Sequence, residues 1–119
     1  MNTRQAGQQG EERAAQFLTG LGYQILARNF TTVQGELDLV AKKADTLVFV
    51  EVKMRASMAF GGPLLAVTAA KQKRLARAAT QYLKANRPKF DSIRFDVVCV
   101  LPDRIEHVPN AFQPDRSTL

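Results

Sequence analysis

One cysteine, one histidine and no apolar run long enough to span a bilayer set the first limits on this 119-residue chain. A lone cysteine excludes an internal disulfide framework, and Cys99, inside the apolar run Phe95–Leu101, reads as a small core residue. His107 has no Cys, His or second acid at ligand spacing, so neither a zinc site nor an Asp/His/Ser triad has support. Gly61-Gly62 lacks the Lys-Ser/Thr that completes a phosphate-binding loop. The opening Met1-Asn2-Thr3-Arg4-Gln5 leads into no apolar segment, so a cytoplasmic chain without membrane contact is expected. No repeat, linker or low-complexity stretch divides the chain. One domain over 1–119 is expected, with its core at about 7–112 and a loose tail at 110–119.

What is present is ordinary for a globular domain: 45% hydrophobic and 24% charged residues. The balance of charge is not neutral. A formal net charge of +6 points to an anionic partner, nucleic acid foremost.

Hydrophobic periodicity lays out the elements. Ala14, Phe17, Leu18 and Leu21 repeat at helical spacing, which predicts a helix over Gln8 to Thr19 stopped by Gly20 and Gly22. Tyr23 to Phe30 reads as a strand with Tyr23, Ile25, Ala27 and Asn29 on one face. Glu36–Lys42 and Leu47–Lys53 follow, joined by the short polar link Lys43-Ala44-Asp45 as an antiparallel hairpin. Met54 to Leu65, with Gly61-Gly62-Pro63, reads as an irregular, mobile loop. Thr68 is placed to cap a helix that runs to about Asn86 before Pro88. Ile93–Leu101 is apolar on both faces except at Asp96, as a central strand would be, and a short strand Ile105–Val108 ends the pattern. The class is α/β with a mixed sheet, either one helix on each face or both near one edge.

The chemistry sits on the hairpin. Side chains alternate along a strand, so Glu36 and Asp38 are expected on one face with Leu37 and Leu39 on the other. Glu51 and Lys53 likewise share a face, opposite Val48, Val50 and Val52. Glu-x-Lys alone is a common surface pair of little energy. Here it ends a Val-rich strand that neighbours the one carrying Asp38, and buried charges are tolerated when they pair or hold something between them. Mg²⁺ and Mn²⁺ take hard oxygen ligands, which Asp38, Glu51 and the Val52 carbonyl could supply. Such an ion polarises a phosphodiester and activates water, and Lys53 could orient that water or offset charge in the transition state. Like carboxylates repel unless a cation lies between them, so Glu51→Gln is expected to be neutral or slightly stabilising without metal.

Two further groups are candidates. Glu11 falls within the arc of Ala14, Ala15, Phe17, Leu18 and Leu21, while Glu12 faces water; Gly7 and Gly10 on the Glu11 side permit close approach. The competing reading puts Glu11 in an exposed first turn favoured by the helix dipole. On the second helix Lys73, Arg77 and Lys84 fall within about 40° of one another, roughly opposite Leu75, with Arg74 flanking them. A basic row of this kind suits phosphates, or is simply a solvated face. Arg55, directly after Lys53, is a further nucleic-acid candidate.

Gly10-Glu11, Gly22-Tyr23, Arg28-Asn29, Gly35-Glu36-Leu37-Asp38-Leu39-Val40, Phe49-Val50-Glu51-Val52-Lys53-Met54-Arg55, Lys71-Gln72-Lys73-Arg74-Leu75 and Arg94-Phe95-Asp96-Val97-Val98 together resemble the YraN-like family of small bacterial proteins. That family is related to archaeal Holliday-junction resolvases, and both are similar to the PD-(D/E)-X-K nuclease superfamily. The resemblance implies a restriction-endonuclease-like αβββαβ core. It also implies a catalytic set of Asp38, Glu51 and Lys53 with Glu11 as a helix-borne acid, a Mg²⁺ or Mn²⁺ cofactor, structured DNA as substrate, and a homodimer. One departure is Leu37 where the superfamily has proline, with Glu36 adding an acid. The alternative is a non-catalytic nucleic-acid-binding protein or partner subunit that retains a nuclease fold.

Overall fold

The structure is a computed structural model, described over residues 3–57 and 67–114. The first helix, α1 (Thr3–Gly20), begins earlier than its apolar pattern does. It closes on Gly22, whose φ of +95° is open to glycine at no steric cost. There the Tyr23 N–H reaches the Leu18 carbonyl and the Gly22 N–H the Thr19 carbonyl, the paired bonds of a Schellman stop. Because the chain has turned away by then, Leu21 is 45% exposed rather than part of the buried arc formed by Ala14, Ala15 and Leu18.

A meander follows: β1 (Gln24–Thr31), β2 (Glu36–Lys43) and β3 (Thr46–Met54). The crossover helix α2 (Ala69–Asn86) starts at Thr68, whose hydroxyl accepts from the Lys71 N–H, and stops at Arg87 in a left-handed conformation. It leads to β4 (Ser92–Val100) and then β5 (Ile105–Phe112). The strands form one sheet in the order β1-β2-β3-β4-β5, antiparallel throughout except for the β3–β4 pair, which is parallel. β4 is therefore internal, as its apolar character requires. β5 continues through Asn110, Ala111 and Phe112, the first residues of the expected tail, because Phe112 pairs with Phe95 in register and stacks on its ring. Most of the expected Met54–Leu65 loop, residues 58–66, lies outside the described residues, and Met54 belongs to β3.

One helix lies on each face of the sheet. Ala14, Ala15 and Leu18 of α1 pack with Leu39, Ala41, Val48, Val50, Val52, Val98 and Val100. Leu75, Ala78, Ala79 and Tyr82 of α2 pack with Leu37, Val40, Leu47, Phe49, Phe95 and Val97. The result is a three-layer α/β/α arrangement with the αβββαβ order of a restriction-endonuclease-like core.

Strict alternation fails in two places. Leu37 and Leu39, expected on one face, lie in opposite cores, so β2 changes phase at Asp38. In β1 the register slips between Ile25 and Ala27, which sends Ile25 toward α1 and Leu26 and Ala27 toward α2. Further along, Asn29 has φ of 53°, a left-handed residue inside the strand. Among the described residues no helix is long and apolar enough to cross a membrane.

Candidate active site

The phase change in β2 builds the site. The β2–β3 register runs from Lys43–Thr46 to Leu39–Val50, and past it the Asp38 carboxylate accepts the Val52 N–H at 2.8 Å. A side chain thus stands where a backbone acceptor of the ladder would, with Asp38 held against the end of β3. Gly35 lets the start of β2 lie against α2, since a Cβ there would come within 3.1 Å of the Arg74 carbonyl oxygen. On the other side Gly10 is buried, and a Cβ on it would overlap the Met54 side chain; its absence lets α1 close onto the end of β3. Glu11, one residue on, is thereby brought to the sheet.

Carboxylate oxygens of Glu11, Glu36 and Asp38 lie within 4.8 Å of one another. Glu36, Asp38 and Glu51 line a cleft of about 240 Å³ whose opposite wall is Lys71, Arg74 and Leu75 of α2. Glu36 and Glu11 also line a second cleft, of about 480 Å³, with Arg4, Gly7, Gln8 and Asn29. Glu51 is buried, at 8% exposure, and its Oε1 receives two ammoniums: Lys53 Nζ at 3.1 Å and Lys71 Nζ at 2.9 Å.

Crowded acids show in the protonation equilibria. Burial, then the Glu51 charge, push the Asp38 carboxyl up to about 7; the Val52 N–H opposes this, and Glu11 and Glu36 add to it. Burial also raises Glu11, with the Asn29 hydrogen bond opposing and the Glu36 and Glu51 charges reinforcing the rise. Lys53 is lowered by burial and by neighbouring Lys71, although Glu51 opposes the shift. Burial pulls Lys71 down as well, but its ion pair with Glu51 and the Asp38 charge outweigh it, so Lys71 is raised. Four acids face Lys53, Lys71 and Arg74 here, so a formal negative charge remains for a cation to offset.

A family described as "Uncharacterised protein family UPF0102" matches residues 10–100, which include every residue of this cluster. The chain belongs to the UPF0102 family. Relatives each described as "UPF0102 protein" come from Syntrophomonas wolfei and Caldicellulosiruptor saccharolyticus. The first is 51% identical over 92% of this chain and 98% of its own length, the second 48% over 82% and 83%. A third, from Symbiobacterium thermophilum, is 48% identical over 92% of this chain and 98% of its own. Among solved structures, one described as "Crystal structure of SSO0001" overlays with a TM-score of 0.49 at 18% identity, covering 95% of this chain and 53% of that one. A likeness that loose bears no weight here. Membership confirms the YraN-like resemblance, and UPF0102 proteins are a nuclease-like group of small bacterial proteins.

In this UPF0102 protein Glu11, Glu36 and Asp38 converge, while Glu51 lines the same cleft as Glu36 and Asp38 and is engaged by lysines. Val52 turns its side chain into the α1 core and gives its N–H to Asp38. Lys73, Arg74, Arg77 and Lys84 are all exposed on α2, and of these only Arg74 lines the cleft. Arg55 is half-buried, its N–H bonded to the Val100 carbonyl and its guanidinium to that of Met54.

Lys71 was not anticipated as part of the site. Its signal was available, since it lies four residues before buried Leu75 and thus about 40° from it around the helix. His107, for which the sequence shows no partner, and Asp96, the one acidic residue of the central strand, meet in a separate buried network. Asp96 is fully buried; it accepts from Arg94 at 2.8 and 2.9 Å and from the Asn110 N–H at 2.9 Å, and its Oδ2 lies 2.7 Å from His107 Nε2. Arg94 also donates to the Tyr23 hydroxyl at 2.6 Å, tying the link between α1 and β1 to β4.

Proposed function

We propose that this UPF0102 protein is a Mg²⁺- or Mn²⁺-dependent endonuclease that hydrolyses phosphodiesters of branched or otherwise structured DNA. The observation that carries the reading is the meeting of Glu11, Glu36 and Asp38 oxygens beside the Glu51–Lys53 pair, in a cleft bounded by a basic helix. The donor set fits a hard divalent ion: the oxygens are carboxylates, close together, and Asp38 is hard to ionise without a cation near it. Asp38, Glu36 and Glu11 would hold the ion, with Glu51 in the same cleft as Asp38 and Glu36. When bound it supplies Lewis acidity toward the phosphate and activates water.

The chain's own residues do the rest. Asp38 is kept in place by the Val52 N–H, so its position does not depend on a ligand. Lys53, held by Glu51 and largely shielded from solvent, presents an ammonium that can orient water or offset charge on the phosphate in the transition state. The exposed Lys73, Arg74, Arg77 and Lys84 offer a row for neighbouring phosphates, and the net charge of +6 favours approach of a polyanion.

Asp38→Asn and Lys53→Ala should each lower Mn²⁺-dependent cleavage of a junction, flap and single-strand panel by about 100-fold or more, with the circular dichroism spectrum unchanged. Mutants cutting the panel as well as wild type would remove this site from consideration. A wild type that binds the panel in a salt-dependent way, yet cuts nothing in Mn²⁺, would favour a non-catalytic binding protein instead.

A further inference from the structure

Lys71 has no place in a minimal reading of two acids, a cation and one lysine, yet it makes the shorter of the two ion pairs on Glu51. We propose that Lys71 is the residue of this site that grips the phosphate of the nucleic-acid strand, held ready by Glu51 on the wall opposite the acids. The assignment rests on the nuclease reading above.

Three observations support it. Lys71 is borne by α2 and reaches across the cleft to a strand residue, so its ammonium stands inside the cleft between that helix and the acids. Its side chain is 28% exposed against 13% for Lys53, which makes it the lysine that a ligand from solvent meets first. One helical turn on, Arg74 lines the same cleft, so the two cations form a short step from the α2 surface into the site.

Both ammoniums converge on one oxygen, Glu51 Oε1, and both carry like charge. With Glu51 shared by a bound divalent cation, its hold on both lysines would weaken. The lysine with a path to solvent is the one free to move, while an ammonium with three donors can keep a carboxylate and still take a phosphate oxygen. Glu51 therefore orients two cations with separate duties, Lys53 within the site and Lys71 at its entrance.

Removing a metal ligand and removing a competing cation change metal affinity in opposite directions. In the full-length protein, Lys71→Ala should bind Mn²⁺ severalfold more tightly by isothermal titration, because the acids lose a neighbouring positive charge. The same variant should raise KM for a cleaved oligonucleotide about tenfold or more. With Ca²⁺ replacing Mn²⁺, it should reduce the salt slope of binding to a labelled four-way junction by about 1. Lys71→Arg should restore much of the KM, and Lys71→Met, which keeps the apolar stem, guards against a loss of fold. Weaker Mn²⁺ binding in both neutral variants would make Lys71 a structural prop for Glu51 and overturn the proposal. So would a KM and salt slope equal to those of an active wild type. A wild type that neither binds Mn²⁺ nor cuts would overturn the nuclease reading itself and this assignment with it.

Discussion

Asp38 is where the site's electrostatics become measurable. Its carboxyl titrates near 7 in the fold against 3.8 ordinarily, so between those values the folded chain holds a proton that the unfolded chain releases. Stability of the metal-free protein should therefore fall as pH rises from about 4 to about 7 and level off above, by on the order of 4 kcal/mol. Urea titrations in EDTA across that range check it, and Asp38→Asn should flatten this component. A slope of opposite sign would mean that Asp38 is ionised at little expense. Glu51 reverses an expectation. Read from the sequence, its removal relieves repulsion; in the structure Lys53 and Lys71 both depend on it. Glu51→Gln should destabilise the protein in EDTA by about 2 kcal/mol, because two partly buried ammoniums lose their counter-ion, and should abolish Mn²⁺ binding. Neutrality in the melt would show that the lysines find other partners. The identity of the acids was legible because a strand of Val leaves little reason for Glu and Lys at its end. The second lysine was not, since strand and helix meet only in the tertiary fold.

At the scale of elements, local chemistry specified more than pairing did. Thr68 and Gly22 mark helix ends by mechanisms that act within a few residues, and both operate as the sequence implies. The slip in β1 and the phase change in β2 arise from neighbouring strands and leave no trace in a period-2 count. β5 was underestimated for a related reason, because its bent course past Asn110 is stabilised by Asp96 on the adjacent strand. The seat of α1 is also a tertiary matter. Gly10→Val would drive a branched side chain into Met54, which should destabilise the fold by about 2 kcal/mol and weaken Mn²⁺ binding as Glu11 is displaced. Pairing it with Met54→Ala should recover part of both losses, as read by a double-mutant cycle. Additive effects would show that the two positions do not share this contact.

Over the whole molecule, the three-layer order was legible from the element sequence, and the choice of one helix per face was settled only by which apolar sets meet. Charge is unevenly apportioned along the chain as well as across its surface. Glu11, Glu36, Asp38 and Glu51 all lie in the helix and meander that precede α2, together with Lys53; Lys71 and Arg74 come from the crossover. A chain emerging N-terminus first therefore completes its acids before the helix that balances them exists. The parallel β3–β4 pair cannot form until that helix has been made and the chain has returned. During synthesis the acids of the site thus stand without the cations of α2, and docking of that helix sets Lys71 and Arg74 against them.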